Sequence, residues 1–135
     1  MITPALTEPY SELVRRYFAN PAHAGRLPDA YNDFVIGEAA ESEMGVRVVL
    51  SAVVDGDTIR FLRYRVFGCP HLIAAVESFC HEVECQAISA LLELNVPALM
   101  EKLTIPVEKI GRIFILEDAV KILHTALMEI THIEN

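Results

Sequence analysis

The sequence contains few basic residues, few cysteines and no long apolar run. Lys and Arg number 11 against 19 Asp and Glu, so the net charge of −8 argues against binding to nucleic acid or to anionic membrane surfaces. No apolar run approaches the roughly 18 residues needed to span a bilayer, and the N-terminus has no export-signal pattern. Three cysteines, an odd number, predict free thiols. We therefore expect a cytoplasmic protein with neither nucleic acid nor membrane as a partner.

The motifs of the common enzyme classes are also missing. The chain has no glycine-rich phosphate loop, no Gly-x-Ser-x-Gly elbow and no paired-His zinc helix, so we do not expect an enzyme. What the chain does have is 135 residues that are 53% hydrophobic, enough to bury one core. We predict a single domain over residues 10–135, preceded by a tail at residues 1–9 that contains two prolines and no clear period.

Hydrophobic periodicity predicts one helix, three strands and then only helices. Asp55-Gly56-Asp57 is typical of a hairpin turn, and the charges of the following strand predict either a bulge near Leu62 or an exposed edge. The order predicts an α+β fold in which helices pack on one face of a three-stranded antiparallel sheet. The predicted ranges are 10–19 (helix), 31–37 (strand), 38–45 (acidic loop), 46–54 and 59–67 (hairpin), and 70–83, 87–94, 96–103 and 117–130 (helices).

A Gly68-Cys69-Pro70 corner joins the last predicted strand to the next helix. Pro70 suits the first helical position, which places Cys69 at the N-cap. A thiol at the positive end of a helix dipole ionises more easily, and the thiolate is the form that binds metals or attacks sulfur. His71 would deprotonate this thiol or share a metal with it; alternatively it is a surface residue. The alternative for Cys69 is a small buried apolar side chain.

Two other groups contain side chains that commonly bind metals. Cys80-His81-x-x-x-Cys85 offers soft ligands, but Cys80 continues an apolar helix face and is therefore better interpreted as a core residue. Glu41 and Glu43 offer carboxylate ligands in the acidic loop, although carboxylates on loops are most often only solvated. Neither group by itself predicts a metal site.

Four local matches, taken in order, resemble the iron–sulfur cluster scaffold family, that is, the IscU type and the N-terminal domain of NifU. They span residues 10–130. The resemblance implies a three-stranded antiparallel sheet covered by helices, with a cluster held at one end by three cysteines on three loops, an aspartate and a histidine. The matches are Tyr17-Phe18-Ala19-Asn20-Pro21 followed by Gly25, the hairpin leading into Phe67-Gly68-Cys69, Ile105-Pro106-Val107-Glu108-Lys109-Ile110, and Glu117-Asp118-Ala119-Val120-Lys121.

The sequence departs from the family at two of the three cysteines. Cys69 matches one of them, whereas the first should fall within residues 41–43, where no thiol exists. Gly111-Arg112 stands where the family has its last cysteine after a histidine. Arg112 is not a metal ligand, because its guanidinium stays protonated, and it would add positive charge near Cys69. A [2Fe–2S] cluster needs about four ligand atoms.

This sequence retains only about half of the family's chaperone-docking segment. By the resemblance, Ile105, Pro106, Val107 and Lys109 are the residues expected to bind a partner. The other partners implied are a cysteine desulfurase and further cluster-assembly proteins.

Three hypotheses follow for the function. In the first, the chain is a scaffold-like protein that binds iron, zinc or a labile iron–sulfur cluster through Cys69, with Glu41, Glu43 and His71, or by sharing Cys69 between the two chains of a homodimer. In the second, Cys69 accepts persulfide sulfur from a cysteine desulfurase and passes it on. In the third, the chain has lost cluster chemistry and is an interaction module. The first is preferred, because a bound cation would relieve the repulsion between a thiolate and the acidic loop.

Overall fold

The computed structural model describes residues 10–28 and 33–133, with side chains up to residue 130. The predicted tail at residues 1–9 lies outside the described residues. The predicted α+β class is confirmed, since one helix precedes three strands and only helical segments follow. The elements are α1 (Glu12–Ala19), β1 (Val35–Glu41), β2 (Val46–Asp55), β3 (Thr58–Phe67), α2 (Pro70–Val83), a 3₁₀ segment (Ile88–Glu93), α3 (Val96–Leu103), a 3₁₀ turn (Val107–Lys109) and α4 (Ile110–Ile133).

The three strands form one antiparallel sheet in the order β1–β2–β3. β2 and β3 are joined by a tight turn in which Gly56 has a φ of +64°, a conformation that glycine adopts without strain. The register shifts where Val53 pairs with Phe61 and Val54 pairs with Ile59. Arg60 is therefore the extra residue of a bulge, two positions from the predicted site at Leu62.

Helix α4 packs directly on strand β1 at Gly37. A Cβ atom added to Gly37 would lie 2.5 Å from the Ala119 carbonyl oxygen and 2.6 Å from Leu123 Cβ. Only glycine allows the helix backbone to come this close to the strand. The helices and the inward-facing side chains of the sheet enclose the core, whose largest fully buried members include Leu50, Ile59, Leu62, Leu72, Leu91, Leu103, Ile113, Leu116, Leu123 and Leu127.

The outer edge of β3 is covered by other parts of the chain. The Tyr64 N–H donates to the His23 carbonyl oxygen at 3.0 Å, and the Gly25 N–H donates to the Tyr64 carbonyl oxygen at 2.9 Å. The Leu62 N–H donates to the Glu84 carboxylate at 2.9 Å. Covering an edge in this way removes sites at which another strand could pair.

The structure corrects two predicted boundaries. The acidic stretch predicted as a loop from residue 38 is instead the second half of β1, which pairs with β2 as far as Glu41 opposite Val46. Residues 31 and 32 of the predicted strand lie outside the described part of the chain. The last helix begins at Ile110 rather than residue 117, because an earlier start buries Ile113 and Leu116. Pairing and burial outweigh the low strand preference of small residues and the helix cost of Gly111.

Candidate functional site at the Cys69 corner

Cys69 occupies the N-cap position of α2, as the sequence predicts. Its backbone is extended, with φ −80° and ψ 166°, and its side chain makes no capping hydrogen bond. The thiol is half-buried. A Cβ on Gly68 would lie 2.6 Å from Leu72 Cδ2, so glycine lets the corner pack closely on the first turn of the helix. Cys69 also packs against the edge of the hydrophobic core.

Three segments meet at this end of the sheet. Arg47 at the start of β2 pairs with Phe67 at the end of β3, which brings the turn at residues 42–45 to the same end as the Cys69 corner. Met44 Sδ lies 3.6 Å from where a Cβ on Gly111 would stand, so the start of α4 reaches the same place. These are the segments in which the resemblance places the cluster ligands.

The two candidate carboxylates in this region are placed differently. Glu41 is half-buried, and its Oε2 accepts hydrogen bonds from the Glu43 N–H at 2.6 Å and from the Met44 N–H at 3.1 Å. That carboxylate therefore holds the turn that follows β1. The Glu43 side chain is exposed. Of the two, Glu43 has both carboxylate oxygens to offer a cation, whereas Glu41 has only Oε1 to offer unless it gives up its turn contacts.

His71 is a buried residue. It is 4% exposed, and its ring centroid lies 4.6 Å from that of Tyr10, with the two planes tilted by 48°. The alternative that placed it on the surface is therefore wrong. The ring packs between the first turn of α2 and the residue before the α1 cap, which limits its freedom to reorient toward a metal.

Within residues 10–28 and 33–130, no group of three or more His, Cys, Asp or Glu side chains is arranged to hold a metal ion. Cys69, Glu41, Glu43 and His71 remain a predicted ligand set.

The other two cysteines differ sharply in environment. Cys80 has no exposed surface, as predicted for a core residue. Burial raises the pKa of its thiol well above the ordinary value, and the carboxylates of Glu77 and Glu84 raise it further. Cys85 is exposed just after α2 and has a φ of +73°.

The predicted partner-binding residues do not share one surface. Ile105 is 7% exposed, and its N–H donates to the Met100 carbonyl oxygen at 2.9 Å. Val107 is 75% exposed, Pro106 is also exposed, and Lys109 is half-buried. Pro106 and Val107 are therefore the most accessible residues of this set, Lys109 is partly accessible, and Ile105 is not accessible.

A buried polar cluster beside β3 was not predicted from the sequence. The Glu77 carboxylate accepts hydrogen bonds from the His23 N–H at 2.8 Å and from the Tyr64 hydroxyl at 3.0 Å. The His23 ring lies between Glu77 and Glu84, at 2.5 Å and 3.0 Å from their oxygens. Arg63 Nη1 donates to Glu84 Oε2 at 2.6 Å.

This cluster ties the segment after α1 to α2 and to β3. Glu77 is only 2% exposed, so its charge would be costly without these partners. Burial raises the pKa of the Tyr64 hydroxyl, and the neighbouring Glu77 raises it further. One signal for the cluster was present in the sequence, namely a glutamate within the apolar run from Leu72 to Cys80, but its partners lie far away along the chain.

Comparison with known proteins gives a match to the family model described as the NifU-like N terminal domain, over residues 9–131. The chain belongs to this family. It is 28% identical over 112 residues to iron sulfur cluster assembly protein 1 of Trachipleistophora hominis, covering 83% of this chain and 81% of that protein. It is 23% identical over 116 residues to the iron-sulfur cluster assembly protein IscU of Plasmodium falciparum, covering 86% of this chain and 72% of that protein.

Solved structures of NifU-like and related proteins share the fold. A protein described as an iron-sulfur cluster assembly scaffold for the SUF system, from Fervidobacterium islandicum, superposes with a TM-score of 0.63 at 16% identity, covering 87% of this chain and 96% of that one. A NifU-like N-terminal protein from Brucella abortus superposes with a TM-score of 0.54 at 14% identity, covering 92% and 93%. No helix in the described part of the chain has the length and apolar content needed to cross a membrane.

Proposed function

We propose that this chain acts in iron–sulfur cluster assembly as a scaffold-like protein that contributes one thiolate, from Cys69, to iron, zinc or a labile cluster. Family membership and similarity to iron–sulfur cluster assembly proteins support a role in this system. The half-buried sulfur at the end of the sheet, where three segments meet, supports Cys69 as the reactive group. The exposed Glu43 carboxylate is the second ligand that the region can offer.

The observation that carries the proposal is the position of Cys69 at the N-cap of α2, at the end of the sheet where the turn at residues 42–45 also lies. The ligand set at that place is incomplete. No group of three metal-binding side chains occurs among the described residues, while a [2Fe–2S] cluster needs about four ligand atoms. We therefore propose that the missing ligands come from a second protein or from a second copy of this chain, with Cys69 shared across the interface. The exposed Pro106 and Val107 are a surface on which a cluster-assembly protein would dock.

One observation favours a second function, that of a persulfide carrier. The Cys69 side chain makes no capping hydrogen bond, so it can attack without losing a structural contact. In that reaction the Cys69 thiolate attacks the outer sulfur of a cysteine desulfurase persulfide. A new S–S bond forms at Cys69, the old S–S bond breaks, and the desulfurase cysteine leaves as a thiolate. Neither function requires this chain to be an enzyme.

The deciding experiment compares the native chain with Cys69→Ser and with the control Cys85→Ser, all purified without oxygen. Metal content and absorption spectra are measured for each chain alone and after incubation with a cysteine desulfurase, cysteine and ferrous iron. Iron or zinc that is retained by the native chain and by Cys85→Ser, but lost in Cys69→Ser, supports the scaffold proposal.

Two other outcomes contradict the scaffold proposal. If no metal is retained and mass spectrometry finds an added sulfur on Cys69, the chain is a sulfur carrier. If neither metal nor sulfur is found in any sample, both proposals fail, and the chain is an interaction module that has kept the fold without its chemistry.

A further inference from the structure

A groove opens where the cover of the β3 edge stops. The segment after α1 follows β3 in a parallel bridge between Ala24 and Tyr64. At Gly25, with a φ of +106°, the backbone takes a conformation that favours glycine, and the Gly25 N–H to the Tyr64 carbonyl oxygen is the last backbone hydrogen bond of this segment to the β3 edge among the described residues. β3 continues to Phe67, and its last residues pair with β2, but in residues 10–28 and 33–133 no further bridge covers their outer edge. The groove lies in this position.

The walls of the groove are largely apolar. They include Phe18 from α1, Val49 from β2, Phe67 from β3 and Ile73 from α2. The cavity measures about 600 Å³, which lies within the range of about 300–1,000 Å³ typical of small-molecule sites. Phe67 is 70% exposed, so a ligand that covered its ring would remove apolar surface from water.

Two arginines line the same groove, and only one of them is paired with a carboxylate. Arg47 Nη1 is 2.9 Å from Glu38 Oε2, so its charge has a partner. Arg65 is exposed and forms no ion pair within the described part of the chain. A guanidinium stays protonated and presents a planar fork that matches carboxylate, sulfonate or phosphate oxygens. The chain as a whole has a net charge of −8, but the unpaired Arg65 guanidinium gives this groove a local preference for an anion.

We propose that this groove binds a small amphiphilic anion, whose apolar body contacts Val49 and Phe67 and whose single anionic group contacts Arg65. A strongly charged polyanion fits poorly, because only one of the two arginines is open and the walls are apolar. A neutral apolar molecule would bury the same walls but would leave the guanidinium unmatched. The site is distinct from the Cys69 thiol in chemistry and goes beyond the proposed function.

The test uses two fluorescent probes that share an apolar body. Anilinonaphthalene sulfonate has one negative charge, and phenylnaphthylamine is its neutral counterpart. We expect Arg65→Gln to weaken binding of the sulfonate about tenfold, the loss expected for one charge-assisted contact, and to leave binding of the neutral probe unchanged within about twofold. Lys121→Gln on α4 is the matched control. It removes one positive charge, as Arg65→Gln does, but at a position far from the groove. It should change the affinity for neither probe.

Two further measurements locate the site. Phe67→Ala should weaken binding of both probes, since it removes an apolar wall. Octanoate should displace the sulfonate probe at concentrations about tenfold lower than neutral octanamide does. Thermal unfolding of each variant confirms that it folds.

Several results would overturn the proposal. They are failure of the native chain to bind the sulfonate, equal binding of the sulfonate to native and Arg65→Gln proteins, or equal loss of both probes in Arg65→Gln. The last result would mean that the substitution changes the shape of the groove rather than its charge.

Discussion

The His23 ring lies between two carboxylates, with Nδ1 2.5 Å from Glu77 Oε2 and Nε2 3.0 Å from Glu84 Oε1. Both carboxylates come from α2 or its C-cap, whereas His23 comes from the segment after α1. This relationship fixes that segment beside β3, where it covers Tyr64. It also sets the turn at Gly25 beyond which the groove opens.

Glu77→Gln should lower the free energy of unfolding by about 3 kcal/mol. The substitution removes the charge that His23 and Tyr64 face in a site only 2% exposed, and breaking a buried pair leaves its partner unmatched. Urea unfolding measures the change. The control is Glu82→Gln, whose exposed pair with Lys102 should contribute less than about 1 kcal/mol. Equal losses in the two variants would contradict a structural role for the cluster.

Glu84 should make stability depend on pH in the acid range. Burial raises the pKa of this carboxyl, but the Leu62 N–H, Arg63 and His23 together lower it below the ordinary value of 4.5. Because the folded pKa lies below the unfolded one, the contribution is full above pH 4.5 and is lost as the pH falls through the folded pKa. The native chain should therefore melt at a higher temperature than Glu84→Gln at pH 7. The two melting temperatures should converge as the pH falls to 3. A constant difference over the whole range would refute this linkage.

Gly37→Ala should destabilise the protein by about 1–3 kcal/mol, because its Cβ would collide with the backbone of α4 at Ala119 and Leu123. Gly111→Ala is the matched control. Its Cβ meets only Met44 Sδ at 3.6 Å, an ordinary contact, and alanine is favoured over glycine in a helix by about 1 kcal/mol. Denaturant unfolding of both variants should give changes of opposite sign. A harmless Gly37→Ala would mean that α4 can move away from β1 at little cost.

Cys69 should react with iodoacetamide at neutral pH much faster than Cys80. Cys80 is fully buried and its raised pKa keeps it a neutral thiol, whereas the Cys69 sulfur is half-buried at a helix N-cap. Cys85 is exposed and would also be labelled, so the measurement uses Cys85→Ser. Peptide mass spectrometry assigns the label to a residue. Slow and equal labelling of Cys69 and Cys80 would argue against both the ligand role and the carrier role.

Local patterns were enough to predict the order of the elements. The β-branched residues of β2, the alternation along β3, the turn at Gly56 and the Gly-Cys-Pro corner each depend on neighbouring residues, so a single sequence contains the information. The cap of α1 is equally local, since the Ser11 side chain accepts from the Val14 N–H three residues further on. The strand from Val35 to Glu41 was harder to predict. Its small residues have a low strand preference, and they occur there because they allow α4 to pack closely on the strand.

The sequence by itself determined the fold class, the family and the one thiol at the end of the sheet, because periodicity and short motifs are properties of adjacent residues. Tertiary structure alone decided that His71 packs against Tyr10. It also decided that His23 and Glu77, 54 residues apart along the chain, meet in a buried pair. These contacts depend on how separate elements pack, and packing is a property of the whole fold that no local pattern contains.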